Sequence, residues 1–380
     1  MFYVVPFSCF GSARNELIVR IFQKTGAFLS IVGSSLIVSD VAKKVRNGRE
    51  TDPYQRIMLG ISIFDILLSF LFYFLGTWMV PKETGWLWAA GNTSSCSAQG
   101  FFFVFGGFGE ILYQAAISLN ILLLIVFGWN QETFSKKVEK PMHFIIIAFV
   151  LVFAIIPLVY ETYNPACGEC VPGVLLGKCS TKDEGELCIV RGNEQVQLVL
   201  QLIAGASILI VLIFCTVVMV WVYLHVRRQE MRNRRYNFGG SNNAENHRES
   251  RRIRKILFLY TLSLYFSYGS FLVAVFIIGG TISESIATTL IPLLGFWNML
   301  VYFLPNCLKY QRDHPGTWLV TAYFQVLRPA PCAWSPSGMC AGQKEELEDA
   351  PEMNFAKFNT TNEQPATTPV DSATQNNDLE

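Results

Sequence analysis

Ionisable and amide side chains interrupt three of the most apolar stretches of this sequence. Glu110, Tyr113 and Gln114 follow one another at helical spacing in FGGFGEILYQ. Asp65 lies in LGISIFDILLSF, and Asn298 lies in GFWNMLVYFLP. A carboxyl group in an apolar setting can contact a ligand or a cation, or form a hydrogen bond between helices. The first three residues are therefore candidates for ligand binding.

Asp65 and Asn298 also have a structural interpretation, as polar groups that hold helices in register. If the helices around them move, the same groups can adopt two arrangements and act as a switch. Pro292, Tyr302 and Pro305 lie in the same apolar segment as Asn298 and join the switch or packing candidates. A membrane helix tolerates proline, and can bend there, when its neighbours satisfy the freed carbonyl groups.

No motif of a soluble enzyme accompanies these residues. Walker A, GxGxxG, HExxH and GxSxG patterns are all missing from the sequence, and none of its 4 histidines has a convincing catalytic partner. The net charge is +1. We therefore expect a protein that is not an enzyme, needs no cofactor or metal and does not bind nucleic acid.

The composition indicates which elements must position these polar residues. Hydrophobic residues make up 51% of the chain and charged residues 16%, whereas a soluble domain carries about 25% charge. A helix needs about 20 apolar residues to cross a bilayer. The sequence thus predicts an all-α membrane protein, a seven-transmembrane helix bundle in the lipid bilayer. Its predicted spans are 21–42, 57–80, 98–128, 142–162, 195–224, 256–280 and 285–308.

Lysine and arginine are distributed unequally between the two sets of loops. The loops after the first, third and fifth spans hold 18 of them, and the opposite loops hold 4. The positive-inside rule then predicts an N-terminus outside and a C-terminus inside, in a multi-pass protein of the plasma membrane. The predicted regions are a short extracellular N-terminus at 1–20, the bundle at 21–312, a possible amphipathic membrane-surface helix at 313–328 and a disordered cytoplasmic tail at 329–380.

Six cysteines face the oxidising exterior in this topology, where disulfides are favoured. They are Cys9, Cys96, Cys167, Cys170, Cys179 and Cys188. A bridge from Cys96 to the loop 161–194 would tie the third span to that loop, and Cys188, nearest the fifth span, is the first choice. Six cysteines allow 15 connectivities, so the pairing stays open. The alternative for Cys167-x-x-Cys170 is a zinc site, which the oxidising compartment disfavours.

Two surface features suggest partners or modification. The third inner loop has arginine-rich flanks, which can dock a cytosolic partner or only enforce topology and contact anionic lipid. The docking candidates are Arg227, Arg228, Arg251, Arg252, Arg254 and Lys255. Asn92 begins an acceptor sequon in the first outer loop and is a glycosylation candidate. A second sequon at Asn359 should face the cytoplasm and stay unmodified.

Three local blocks add a family resemblance to this pattern. They are YQRIMLGISIFDILLSF (54–70), CSAQGFFFVFG (96–106) and PLLGFWNMLVYFLP (292–305). With seven spans, they resemble the cyclic-AMP-receptor-like and secretin-like group of G-protein-coupled receptors, over about residues 20–312. The resemblance implies a receptor that senses an extracellular ligand of unknown type and signals to a cytosolic heterotrimeric G protein.

Departures from known families shape this expectation. Leu294 stands where that group commonly has Gln, and the end of the third span, LLLIVFGWNQETF, lacks the Asp-Arg-Tyr triplet of rhodopsin-like receptors. We therefore do not expect a receptor of the rhodopsin-like class. A retinal photoreceptor would need a lysine in the seventh span for its Schiff base, and 285–308 contains none. A seven-span transporter of a small solute is the remaining alternative.

Overall fold

The computed structural model describes residues 12–178, 187–236, 258–259, 262–263, 265–269 and 290–328. Six helices within these ranges are long and apolar enough to cross a membrane. They are Ala13–Arg46, Pro53–Phe74, Thr93–Ile125, Gln131–Val159, Glu194–Gln229 and Ile291–Asp313. Each overlaps one predicted span. The predicted sixth span at 256–280 falls mostly outside the described residues, as does the tail at 329–380.

The first two spans differ in regularity. Helix α1 (Ala13–Arg46) begins at Ser12, whose Oγ accepts a hydrogen bond from the Asn15 N–H at 3.3 Å. Helix α2 (Pro53–Leu67) has proline in its first turn, where no backbone donor is needed. It continues into a π-helix (Leu68–Phe74) and then a short helix α3 (Gly76–Met79).

Helix α4 (Thr93–Ile125) forms the centre of the bundle and is the most buried of the six candidate spans. Helix α5 (Gln131–Phe134) and a π-helix (Ser135–Glu139) lead into α6 (Lys140–Val159). Helix α7 (Glu194–Tyr236) follows. The fourth and fifth spans have the smallest buried fractions of the six and expose many apolar side chains, as expected for helices that face lipid.

The last described span begins with a 3-10 turn (Ile291–Leu293) and continues as α8 (Leu294–Asp313). Helix α9 (Leu319–Leu327) follows and packs on α8. Ala322 is fully buried, and Tyr323 donates a hydrogen bond to the backbone oxygen of Leu300. Phe324, which lies outside the apolar stripe of this helix, is 67% exposed. Helix α9 therefore carries a bundle-facing side and an exposed aromatic side chain.

Two antiparallel hairpins lie between α6 and α7. Strand β1 (Tyr163–Ala166) pairs with β2 (Glu169–Pro172), and β3 (Leu175–Lys178) pairs with β4 (Leu187–Arg191). The first hairpin turns through Cys167 and Gly168, both with positive φ, the geometry of a tight two-residue hairpin turn. This hairpin is bonded to α4 by the Cys96–Cys170 disulfide, and we call the end of the bundle under it the disulfide end. We call the opposite end, where Arg56 lies in the first turn of α2, the Arg56 end.

Candidate functional site

Asp65 lies at the middle of the bundle and is 1% exposed. Its carboxylate accepts hydrogen bonds from Ser30 Oγ at 2.9 Å and from Ser34 Oγ at 2.6 Å, both on α1. Ser69 Oγ, one turn along its own helix, lies 3.4 Å away. A buried carboxylate is costly unless donors surround it. These hydroxyl groups therefore attach α1 to α2 through Asp65.

Gly295 brings α8 into contact with the same carboxylate. Its N–H donates to Ser30 Oγ at 2.9 Å, and a Cβ at this position would overlap the Asp65 carboxylate. On α1, a Cβ added to Gly33 would lie 3.0 Å from the Gly295 oxygen. Small residues let membrane helices approach this closely. We call Ser30, Ser34, Asp65 and Gly295 the central cluster; it joins α1, α2 and α8.

Glu110 extends this polar region from α4 toward the predicted sixth span. It is 1% exposed, and its Oε2 accepts a hydrogen bond from the Tyr268 hydroxyl at 3.0 Å. Its Oε1 makes no hydrogen bond of standard geometry among the described residues, and the carboxyl group interacts electrostatically with Asp65. Because neighbouring carboxylates repel when both are charged, a change of charge on either one alters how these helices interact.

Gln114 and Asn298 form a second link between α4 and α8. Gln114 Nε2 donates to Asn298 Oδ1 at 3.1 Å, and both residues are buried. The Asn298 Nδ2 group has no hydrogen-bond partner among the described residues. Gln114 is one helical turn from Glu110, so the two share a face of α4. The amide of Asn298, a switch or packing candidate, is thus hydrogen-bonded to Gln114 of α4.

Tyr113 does not join Glu110 and Gln114. Its hydroxyl lies 2.7 Å from His143 Nδ1 on α6, and its ring packs beside Gly60 and Phe64 of α2. The three candidate ligand-binding residues thus face at least two different sides of α4. All three are nearly inaccessible, with exposures of 1%, 2% and 4%.

Tyr302 links α8 to α1 nearer the Arg56 end. Its hydroxyl donates to Asp40 Oδ2 at 2.8 Å, and its ring stacks on Tyr54 at 6.3 Å between centroids. Pro305 lies inside α8, where it removes one backbone hydrogen bond. Pro292 instead lies in the 3-10 turn before α8. It shapes the start of that helix, not a bend in its middle.

Apart from the Ser69–Asp65 contact, these hydrogen bonds share one property: donor and acceptor belong to different helices. They connect α1, α2, α4, α6, α8 and the described π-turn Tyr265–Gly269. Hydrogen bonds of this kind are lost or exchanged when helices shift by an ångström or two. The arrangement is therefore suited to sense and stabilise relative helix positions.

The disulfide at the N-terminal end of α4 corrects the predicted pairing. Cys96 is bonded to Cys170 of β2, not to Cys188. The side chain of Cys188 lies outside the described part of the chain, and its backbone belongs to β4. Gln99, one turn after Cys96, accepts a hydrogen bond from the Cys170 N–H at 3.1 Å. Because the Cys170 sulfur is engaged in this bond, it cannot serve as the thiolate ligand of the alternative zinc site.

Arg20 attaches the same hairpin to α1. It is 1% exposed and forms an ion pair with Glu169 Oε1 at 2.7 Å. Its guanidinium also donates to Gln23 Oε1 at 3.0 Å and to the Cys167 oxygen. Gly168 has φ +76°, and a Cβ there would overlap the Arg20 guanidinium. Glycine at this turn is thus required both by the backbone and by the arginine.

Lys24, one turn after Arg20, lies in an aromatic cage. Its Nζ is 3.9 Å from the centre of the Trp78 ring and 5.7 Å from that of Trp88, distances typical of cation–π contacts. It also donates to the Phe74 oxygen. In a regular α-helix the Phe74 oxygen would accept the N–H of Trp78, four residues later. The Trp78 N–H donates instead to the Leu75 oxygen, which leaves the Phe74 oxygen available to Lys24. The π-helix therefore presents a carbonyl group to a lysine inside the first span.

The remaining predicted residues lie at the surface or beyond the described ranges. Arg227 and Arg228 are exposed near the end of α7. The other docking candidates, Arg251, Arg252, Arg254 and Lys255, lie outside the described residues. Asn92 is exposed and caps α4, since its Oδ1 accepts the Ser95 N–H at 2.9 Å.

Sequence reasoning missed several partners in these contacts. Ser30 and Ser34 stand four residues apart and so share one helix face, but neither is among the sequence candidates. Arg20 and Gln23 stand three residues apart and also share a face, and Arg20 lies just before the predicted first span at 21–42. His143 was dismissed because it lacked a catalytic partner, yet it hydrogen-bonds with Tyr113. Polar residues at i and i+3 or i+4 in or beside a span are the signal that could have found the Ser30–Ser34 and Arg20–Gln23 pairs.

A comparison with models of known protein families gives a match for most of the chain. A family model described as 7 transmembrane receptor (rhodopsin family) matches residues 36–308. No curated protein matches the chain. The matched region contains Asp65, Glu110, Gln114 and Asn298, whereas Ser30 and Ser34 precede it.

Proposed function

Because this chain belongs to the seven-transmembrane receptor family of the rhodopsin type, we propose that it senses an extracellular ligand and activates a cytosolic heterotrimeric G protein. Receptor signalling of this type follows from the family, and the family match is the observation that carries the proposal. The hydrogen-bonded contacts between helices support it, because a receptor needs helices whose relative positions can change.

Two expectations about the family change with this match. The missing Asp-Arg-Tyr triplet does not exclude the rhodopsin family, so that expectation is wrong. The nearer kinship with cyclic-AMP-receptor-like and secretin-like receptors rests on the three sequence blocks alone. We therefore propose this nearer kinship only for the three blocks 54–70, 96–106 and 292–305. The transporter alternative gains no support, and absence of solute uptake by proteoliposomes that contain the purified protein would dispose of it.

We propose that the disulfide end faces outside and the Arg56 end faces the cytoplasm of a plasma-membrane protein. The lysine and arginine count of the loops and the Cys96–Cys170 disulfide both support this orientation. Asn92→Gln tests it: we expect loss of a glycan and faster migration on a denaturing gel. The Asn359→Gln variant serves as the control and should migrate unchanged. A glycan on Asn359 would reverse the orientation.

The Gln114–Asn298 hydrogen bond is the proposed switch contact within the bundle. Asn298→Ala should change nucleotide exchange on a reconstituted G protein more than it changes surface expression. Asn120→Ala is a matched control, because this buried amide on α4 has no hydrogen-bond partner among the described residues. Equal effects of both substitutions, or a loss of expression alone, would leave Asn298 with a packing role only.

The ligand role of Glu110 and Gln114 stays a proposal, and Tyr113 faces away from them. Because all three are buried, we propose that Glu110 and Gln114 respond to a ligand through helix movement. The arginine candidates at the end of α7 and beyond are proposed to contact the G protein. Arg227→Gln with Arg228→Gln should weaken G-protein activation while surface expression stays constant. If only expression falls, the charges serve topology.

A further inference from the structure

Arg56, in the first turn of α2, holds the connection between the third and fourth spans. Its Nη2 donates to Glu139 Oε2 at 2.8 Å and to Ser135 Oγ at 3.1 Å, and its Nε donates to Glu139 Oε1. Its Nη1 donates to the Thr51 oxygen. All three guanidinium nitrogens thus donate hydrogen bonds, to Thr51 before α2 and to the π-helix Ser135–Glu139. Lysine cannot reproduce this planar geometry.

This ion pair differs from two others at the Arg56 end, Asp40–Lys44 and Glu132–Lys136. Asp40–Lys44 and Glu132–Lys136 each lie four residues apart within one segment. The Arg56–Glu139 pair instead spans 83 residues of sequence. It therefore fixes one element relative to another, which the local pairs cannot do.

The segment 127–139, which we call the linking loop, is folded and not merely extended. Asn130 caps α5 by accepting the Thr133 N–H at 2.7 Å, and Phe134 is fully buried in the bundle core. The π-helix that follows is held at its two ends, Ser135 and Glu139, by Arg56. Lys136 and Lys137 lie between these anchors and are exposed.

Glu139 is also connected to the bundle interior. Its Oε1 lies 3.8 Å from His143 Nε2, and His143 Nδ1 lies 2.7 Å from the hydroxyl of Tyr113 on α4. Glu139 is 4% exposed, whereas the Arg56 side chain is 34% exposed. The acidic partner is therefore fixed by its surroundings, and the arginine is the accessible member that closes the contact.

We propose that Arg56 is a positioning residue that holds the linking loop in the shape that a G protein contacts. This inference rests on the proposed G-protein coupling and on the cytoplasmic orientation of the Arg56 end. The loop then presents an apolar side chain, Phe127, and the ammonium groups of Lys136 and Lys137 on a fixed backbone. Loss of the arginine fork releases that backbone and leaves the buried Phe134 anchor in place.

The test uses full-length purified protein in nanodiscs and two measurements. The first is amide hydrogen exchange of the linking loop, which needs no G protein. The second is basal nucleotide exchange on purified G protein, counted per folded receptor. Arg56→Gln and Glu139→Gln should each speed loop amide exchange and slow nucleotide exchange by about tenfold, with Arg56→Lys between them and the wild type.

Two controls separate positioning from general damage. Glu161→Gln removes an acid from an arginine pair at the other end of the bundle and should change neither measurement. The double variant Arg56→Gln with Glu139→Gln should be no worse than either single variant, since both remove the same contact. Additive losses would overturn the proposal.

Other outcomes are equally informative. If Arg56→Gln lowers only the unfolding temperature, with both measurements unchanged per folded receptor, Arg56 has a structural role and the proposal fails. If the wild-type protein promotes no nucleotide exchange, the proposed coupling fails as a function. The loop amide exchange then still decides whether Arg56 positions the loop.

Discussion

The two ends of the bundle each use an arginine–glutamate pair to attach a loop to a span, but in different surroundings. At the disulfide end, the Arg20 side chain is 2% exposed and lies under a hairpin that a disulfide also holds. At the other end, the Arg56 side chain is 34% exposed and no disulfide is near it in the described chain. The same chemical pair therefore has different consequences at the two ends.

Burial explains the difference. Removing one partner of a buried ion pair leaves an uncompensated charge and costs about 3–5 kcal/mol, whereas a fully exposed pair contributes about 1 kcal/mol or less. The Arg56 pair lies between these limits, because its arginine is half-buried and Glu139 is buried. We infer that the hairpin at the disulfide end keeps one position on the bundle, whereas the loop at the Arg56 end can change its position. A receptor that signals through loops at one end is served by this asymmetry.

The largest effect on stability is expected when the Cys96–Cys170 disulfide is removed. Cys96→Ser opens a disulfide that joins residues 74 apart in sequence and should lower the unfolding free energy by about 4 kcal/mol. Thermal unfolding of detergent-purified protein measures the change. Cys188→Ser, the control, should leave the Cys96–Cys170 peptide pair intact in a non-reducing digest. A Cys96 peptide linked to any other cysteine would contradict the structure.

A slightly smaller effect is expected from the buried arginine. Arg20→Met removes the cationic donor of Glu169, which keeps the Gln23 Nε2 hydrogen bond, and the arginine donor of the Cys167 carbonyl group, and it should cost about 3 kcal/mol. Adding Glu169→Leu should recover part of the loss, because the stranded charge disappears. The same thermal measurement applies. If the double variant is less stable than Arg20→Met alone, the loss arises from packing and not from the ion pair.

The smallest effect on stability should come from the Arg56 pair, in which the arginine is half-buried and only Glu139 is fully buried. Arg56→Gln should lower the unfolding free energy by about 2 kcal/mol, because solvent can reach the site and partly compensate the Glu139 carboxylate. Unfolding scans of Arg56→Gln and Arg20→Met under identical conditions compare the ends directly. Equal losses of stability at the two ends would remove the asymmetry.

Span positions could be predicted because they depend on length and composition alone. The face of each polar residue could be predicted only in part. At 100° per residue, Glu110 and Gln114 lie about 40° apart around α4, whereas Tyr113 lies about 60° away from Glu110 on the other side. This rotation alone places Tyr113 and Gln114 on different sides of α4. The prediction that all three residues form one ligand-binding group did not take the rotation into account.

The disulfide partner and the donors to Asp65 could not be predicted in the same way. Cysteine spacing leaves 15 pairings open, and the choice depends on how the hairpin turns at Cys167 and Gly168. Ser30 and Ser34 meet Asp65 because Gly33 and Gly295 bring α1 and α8 together. That approach is a property of three helices, which no single segment of sequence contains.

The place of Gly295 in the central cluster also has a consequence for how the chain is made. Ser30 and Ser34 are synthesised early and Asp65 soon after, so two spans can form the first hydrogen bonds during membrane insertion. The backbone that closes the cluster arrives more than two hundred residues later, with the last described span. The central cluster can therefore be complete only after the first and the last described spans have packed together.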